Sequence, residues 1–376
     1  MELKEFTFDP ALTEPFLALG SELYRDDRSF VPPLREELRA QLAPSFPFYR
    51  QEGNAHRRFL AFEKGRPVAR ALASVNRDLV EGDQTRVGAV GFFEAAEDHH
   101  AALAVLSAAV DWLRRAHGIK RIWGPLNFDI WHGYRLMTRG FDRERFLGEP
   151  FNKAYYPSLF DSFGFRPRQR WNTLELEGPG ALEVLLAQGG DERRRFCESG
   201  YRLEPFSLAR FGESLGKLHR VLTRSFSGFL GYTPISLAEF SRLMSALRFA
   251  IHPECSVFVL DDAGRLAGFA GVLRELSEAV RAMRGASSPL STLRFLGARR
   301  PSRRLMLHVG GITPAEASKH NGVARGAFYE VLARLRGSGC ETVLATLVAK
   351  GNPVRRLYGP YASDVRREYT LYGLDL

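Results

Sequence analysis

The chain has 376 residues, 45% of them hydrophobic and 26% charged, which is a globular composition at a length that suggests two domains. Lysine and arginine number 53 against 43 acids, so the net charge of +10 favours anionic partners: phosphate-bearing molecules, anionic lipid or nucleic acid. Three scattered cysteines, with no CxxC, exclude a zinc or disulfide framework, and no apolar run approaches the length of a membrane span.

In chain order, Leu3–Phe8 reads as a strand and Leu12–Tyr24 as a helix, and Pro33 suits the first turn of another helix. A β-hairpin follows, from Arg58–Phe62 through Lys64-Gly65-Arg66 to Val68–Val75. Val87–Phe93 is a further strand. Ala101–Arg115 carries Leu103, Leu106, Val110 and Leu113 at helical spacing, and Gly118 closes it. Arg121–Trp123 is a short strand, Tyr156–Phe163 a helix and Arg170–Leu176 a strand.

The second half repeats this order. Gly212–Arg224 and Ser236–Arg248 read as helices, and Cys255–Leu260 with Leu266–Leu273 as a hairpin. Then come a strand at Arg304–Ile312, a helix at Val323–Leu335, a strand at Thr342–Leu347, a short helix at Pro353–Tyr358 and a last strand at Tyr369–Leu374. Each half ends as helix, glycine turn, strand, short helix, strand, which predicts a duplicated domain. The expected organisation is residues 1–180, a connecting helix at 181–200, and residues 201–376.

The strongest chemical signal is the strand Arg304–Ile312 with its loop to the next helix. A glycine loop at a helix start exposes backbone N–H groups where the helix dipole is positive, and together these form an anion site suited to pyrophosphate. Gly310-Gly311 inside the strand has the composition of a bulge, which would free an N–H to polarise a carbonyl.

These residues resemble the GNAT family of N-acetyltransferases. Its loop, Gln/Arg-x-x-Gly-x-Gly/Ala, is matched by Lys319-x-x-Gly322-x-Ala324, with lysine in the first position. The family's later Asn and Tyr are matched by Asn352 and Tyr358. The resemblance implies an α+β fold of two tandem GNAT-like domains, each a mixed, mostly antiparallel sheet flanked by helices. It implies acyl-CoA as co-substrate, with Lys319, His320, Asn321, Gly322, Val323 and Ala324 around the pyrophosphate. Val309, Gly310, Gly311 and Ile312 would lie along the thioester arm, and Tyr358 would protonate the leaving thiolate.

The first half lacks this loop. Glu97-Asp98-His99-His100-Ala101 stands in its place, and two acids would repel pyrophosphate, so this half is expected to bind no CoA. Leu23–Arg35, Gly91-Phe92-Phe93-Glu94, Gly124–Phe128 and Tyr155-Tyr156-Pro157 resemble a group of bacterial tandem acyltransferases that includes ceramide synthase-like enzymes. That resemblance implies transfer of a long acyl chain to an amine such as an amino lipid or a peptide side chain. The text Asp129–Tyr134 departs from the group.

His308 is the nearest candidate base by sequence, and Glu94, Asp129 and His132 are candidates from the other half. Residues 274–304 hold eight arginines against two glutamates, interleaved with Val280, Met283, Leu290, Leu293, Phe295 and Leu296. That composition suits peripheral contact with an anionic membrane, and equally a surface helix with one face on the core. We expect no metal, no nucleic-acid partner and no signal peptide, and hence a cytoplasmic protein, peripheral to the inner membrane if that contact forms. The rival class is a non-catalytic protein that senses CoA on a degenerate acyltransferase fold.

Overall fold

The computed structural model describes residues 1–27, 29–82, 84–300, 302–319, 322–362 and 365–376. Thirteen strands among them form one sheet: β1 (Glu2–Phe6), β2 (Ala55–Glu63), β3 (Arg66–Val80), β4 (Arg86–Ala95), β5 (Arg121–Gly124), β6 (Leu136–Arg139), β7 (Arg166–Glu177), β8 (Arg202–Pro205), β9 (Val257–Leu260), β10 (Leu266–Arg274), β11 (Arg304–Ile312), β12 (Thr342–Ala349) and β13 (Arg367–Asp375). Their order is β1-β2-β3-β4-β5-β13-β7-β12-β11-β10-β9-β8, with β6 on β13. The α+β class holds, with helices on both faces of a mostly antiparallel sheet.

The order contains an exchange. The last strand of the chain, β13, pairs with β5, while β7 leaves the first half to pair with β12. β13 and β7 also pair with each other, from Arg367 opposite Thr173 to Gly373 opposite Arg166. The strand that closes each half therefore comes from the other, and the sheet runs unbroken between them. One apolar cluster spans the join, from Trp123, Met137 and Phe146 to Phe240, Phe258 and Met306.

Among the described residues only two strand pairs are parallel, β4 with β5 and β11 with β12. Both separate early. Pairing stops after Ala89 opposite Trp123 in the first half and after Leu307 opposite Ala345 in the second. Each opening faces the start of a long helix, His99–His117 in the first half and Val323–Gly337 in the second. The apolar face of His99–His117 covers β2–β4 through Val105, Leu106, Ala109 and Leu113. Val331, Leu332 and Leu335 of the second helix pack on Leu305, Val343 and Ala345. Burial of such side chains at about 1.5–3 kcal/mol each outweighs the weak intrinsic preference of either helix.

Sequence patterning missed the short strands β6 and β8 and the short helices Pro47–Arg50 and Pro314–Ala317. The expected connecting helix at 181–200 is two helices, Pro179–Gln188 and Gly190–Glu198. No helix among the described residues is long and apolar enough to cross a membrane.

Candidate active site

The bulge in the second half lies at His308, not at the glycine pair. Gly271 faces Val309 while its neighbour Val272 faces Leu307, so His308 is the extra residue. Gly310 and Gly311 pair regularly with Ala270 and Phe269. The bulge reverses the alternation of faces: Met306 and Val309 pack in the same apolar cluster although three residues apart. Opposite, β12 is irregular between Ala345 and Val348, and Leu347 takes φ +55. Thr346 Oγ1 lies 3.4 Å from His308 Nδ1 across the opening. Burial, with a contribution from Arg135, lowers the His308 pKa to about 4, so its imidazole is neutral at pH 7.

The two openings differ in what fills them. In the first half, Asn127 Oδ1 accepts from Phe92 N at 2.7 Å and Leu126 N donates to Val90 O at 2.9 Å. A Cβ at Gly91 would sit 2.4 Å from Leu126 O, so only glycine admits this plug. Beyond it, Ala95 N donates to Tyr156 Oη at 2.8 Å and Tyr155 Oη donates to Ala95 O at 2.8 Å. The backbone of this opening is satisfied internally. In the second half, among the described residues, no side chain bonds the backbone N–H groups from Val309 to Ile312.

The helix starts differ in the same sense. Asp98 caps His99–His117, its Oδ1 accepting from His100 N at 2.9 Å and Ala101 N at 3.2 Å. That carboxylate already occupies the anion-binding end of the helix. Val323–Gly337 begins at Gly322, whose φ is +76 and which supplies no capping side chain. A Cβ there would meet nothing within 4 Å, so the approach is open. Val323 is buried and Ala324 exposed. Lys319 Nζ donates to Glu316 Oε2 at 2.9 Å and is turned back along its own loop. His320 and Asn321 lie outside the described residues.

Tyr358 is 2% exposed, its ring edge-on to Phe328 at 5.1 Å on the face that also carries Leu307 and Val348. Burial raises its pKa, so it keeps its proton at pH 7. Asn352 Oδ1 accepts from Val354 N at 3.0 Å and caps the 3-10 turn that brings Tyr358 back.

The candidates from the first half do not join this group. Glu94 is half-buried beside Arg70 at 3.9 Å and accepts from Tyr156 Oη at 2.7 Å. Burial raises its pKa, opposed by Arg70 and the tyrosines. His132 lies between carboxylates: Nδ1 is 2.8 Å from Asp129 Oδ1 and Nε2 is 3.4 Å from Glu239 Oε1. Burial works against its charge, but Asp129 and then Glu239 outweigh burial and push the pKa up to about 9. An imidazolium has no lone pair to take a proton, so His132 fits a clamp rather than a base. Asp129 also accepts from Thr233 Oγ1 at 2.9 Å, which ties the two halves together. Among the described residues no group of metal-ligating side chains is found.

The overall fold is similar to that of solved structures. A tandem GNAT protein from the clavulanic acid biosynthesis pathway superposes with TM-score 0.51 at 13% identity, covering 100% of this chain and 98% of that one. The fold is the GNAT fold. By sequence the chain is similar to the bacterial ceramide synthase of Caulobacter vibrioides, 27% identical over 289 residues, which are 76% of this chain and 73% of that protein. It is also similar to Protein YghO of Escherichia coli, 23% identical over 289 residues, 75% and 70% of the two chains. No family model matches the chain.

Proposed function

We propose that the chain is an N-acyltransferase that moves an acyl group, long-chain by the similarity to bacterial ceramide synthase, from acyl-CoA to an amine. The observation that carries this reading is the difference between the two openings: in one, Asn127 bonds the strand and Asp98 caps the helix, while in the other no described side chain bonds the N–H groups of Val309–Ile312 and the helix starts at Gly322, which has no side chain to cap it. The donor would lie in the second half. The N–H groups of Val323 and Ala324 and the loop from Lys319 to Gly322 would face its pyrophosphate, and Val309–Ile312 its thioester arm. In this reading the functional units are residues 1–180 and 201–376, joined through 181–200.

The amine nitrogen attacks the thioester carbon directly. The N–C bond forms, the C–S bond breaks, and Tyr358 gives its proton to the departing thiolate. The proton lost by nitrogen passes to His308 or, through water, to solvent. His308 is uncharged at pH 7, but a pKa lowered to about 4 makes it a weak base, which favours the route through water. The acceptor would be an amino lipid or a peptide amine. The test is amine-dependent release of free thiol from palmitoyl-CoA. Tyr358→Phe should unfold at the same temperature as the parent and lose about a hundredfold in turnover. Unchanged turnover would remove Tyr358 from the mechanism. CoA binding without release to any amine would favour the CoA-sensing alternative.

A membrane surface fits the same reading. On the helix Pro289–Ala298, Leu290, Leu293 and Leu296 are 57%, 65% and 55% exposed, while Ser291 and Phe295 anchor the opposite face. Exposed Arg284, Arg294, Arg299 and Arg300 flank this stripe. Leucines among arginines suit an anionic bilayer. Replacing the three leucines by serine should abolish co-sedimentation with phosphatidylglycerol vesicles, and retained binding would reject the contact.

A further inference from the structure

One side chain of the first half lies over the opening in the second. Arg135 takes φ +72 and stacks its guanidinium 3.8 Å from the Tyr134 ring centroid and 4.5 Å from that of Trp171. Trp171 pairs with Ala349 at the splayed end of β12, and Tyr134, Trp171, Val309 and Leu347 pack in one cluster. The guanidinium is also near enough to His308 to act on its charge.

The environment of Arg135 is incomplete. Its Nε and Nη1 are shielded from solvent and have no hydrogen-bond partner. The groups that act on it are the phenols of Tyr134 and Tyr369, with no carboxylate among them. Arg135 is half-buried; the fully buried arginines leave at most Nε unpaired, as in Arg58, Arg70 and Arg145, and place their other nitrogens on partners: Arg70 by Glu94 at 3.9 Å, Arg145 by Glu149 at 3.7 Å, and Arg367 by Glu149 at 2.9 Å and Glu175 at 2.6 Å. Arg58, which lies deeper, donates to Leu42 O and Thr13 Oγ1. Aromatic faces offset part of the cost of burying a cation, but they satisfy neither its in-plane N–H donors nor its charge. A bound water would meet the donors, and only an anion meets both.

We propose that Arg135 is the counterion site for an acid group, carboxylate or phosphate, carried by the acceptor close to its amine. This rests on the acyltransferase reading and narrows it, because the acceptor becomes an acidic amine rather than a neutral amino alcohol or a lysine side chain. The first half would then contribute acceptor recognition to the donor site of the second.

The test uses probes that mimic the product, titrated into the full chain in the presence of CoA. One pair is N-palmitoylglycine and its primary amide. The other is N-palmitoyl-O-phosphoethanolamine and N-palmitoylethanolamine. The acid member of at least one pair should bind about tenfold tighter than its neutral twin. The pair that discriminates identifies carboxylate or phosphate as the source. Arg135→Met should reduce the preference to within about twofold, and Arg135→Lys should keep part of it. Equal affinities within both pairs, with palmitoyl-CoA still bound, would overturn the acid site and leave the acyltransferase reading intact. A preference that survives Arg135→Met would overturn it too. If CoA, palmitoyl-CoA and all four probes fail to bind, both readings fall. The paired comparison is made in the unaltered protein, so it stands even if a variant misfolds.

Discussion

His132 shows how a residue chosen as a base can be excluded from that role by its neighbours. It is 3% exposed, with Phe46 and Phe128 on its ring, Asp129 and Glu239 on its nitrogens and the Glu37 carboxyl facing it. A histidine whose folded pKa is raised from 6.5 to about 9 adds stability that is fully present below about pH 6.5, declines above it and is gone past about pH 9. The shift corresponds to about 3 kcal/mol at most. The stability difference between the parent and His132→Gln, read from urea unfolding, should therefore shrink across that window. A difference that stays constant from pH 6 to 9.5 would mean the imidazolium clamp is wrong. His308 has the opposite sign. Its lowered pKa adds stability above about pH 6.5 that is lost as the pH falls towards 4.

Helices and strands in this chain were legible where one face repeats. The alanine- and leucine-rich face of His99–His117 and the apolar runs on either side of the glycine turns, in β2–β3 and β9–β10, are local patterns. The bulge was not legible, because glycine composition points to Gly310-Gly311 whereas its position is set by pairing with β10. The cap contrast was half legible. Glu97 and Asp98 read as charges that repel phosphate, but the capping bonds of Asp98 needed the structure. Asn127 lies in Gly124–Phe128, which the resemblance already marks, but its bond to Phe92 N and the unsatisfied Nε and Nη1 of Arg135 needed the structure. The cap contrast makes a prediction. Gly322→Asp would set a carboxylate at the helix start, and should lower the melting temperature of the free protein slightly because φ +76 strains a residue with a side chain. It should also abolish the rise in melting temperature caused by CoA, because a carboxylate would stand where pyrophosphate is bound. An undiminished rise would place CoA elsewhere.

At the scale of the whole molecule, the repeated order of elements reads as a duplication, and the exchange of closing strands was not readable. Pairing partners far apart in sequence leave no local trace, so β7 and β13 read as the last strands of their own halves. The exchange and the cluster that spans the join tie the halves into one sheet, in which one opening is plugged by Asn127 and, in the proposed reading, the other takes the ligand. That asymmetry is the central claim. Hydrogen exchange of the full chain with and without palmitoyl-CoA tests it most directly. The account predicts slowed exchange in 309–312 and 323–326, and no change in 91–95 or 99–102. Protection in the first-half segments, with none in the second, would contradict it.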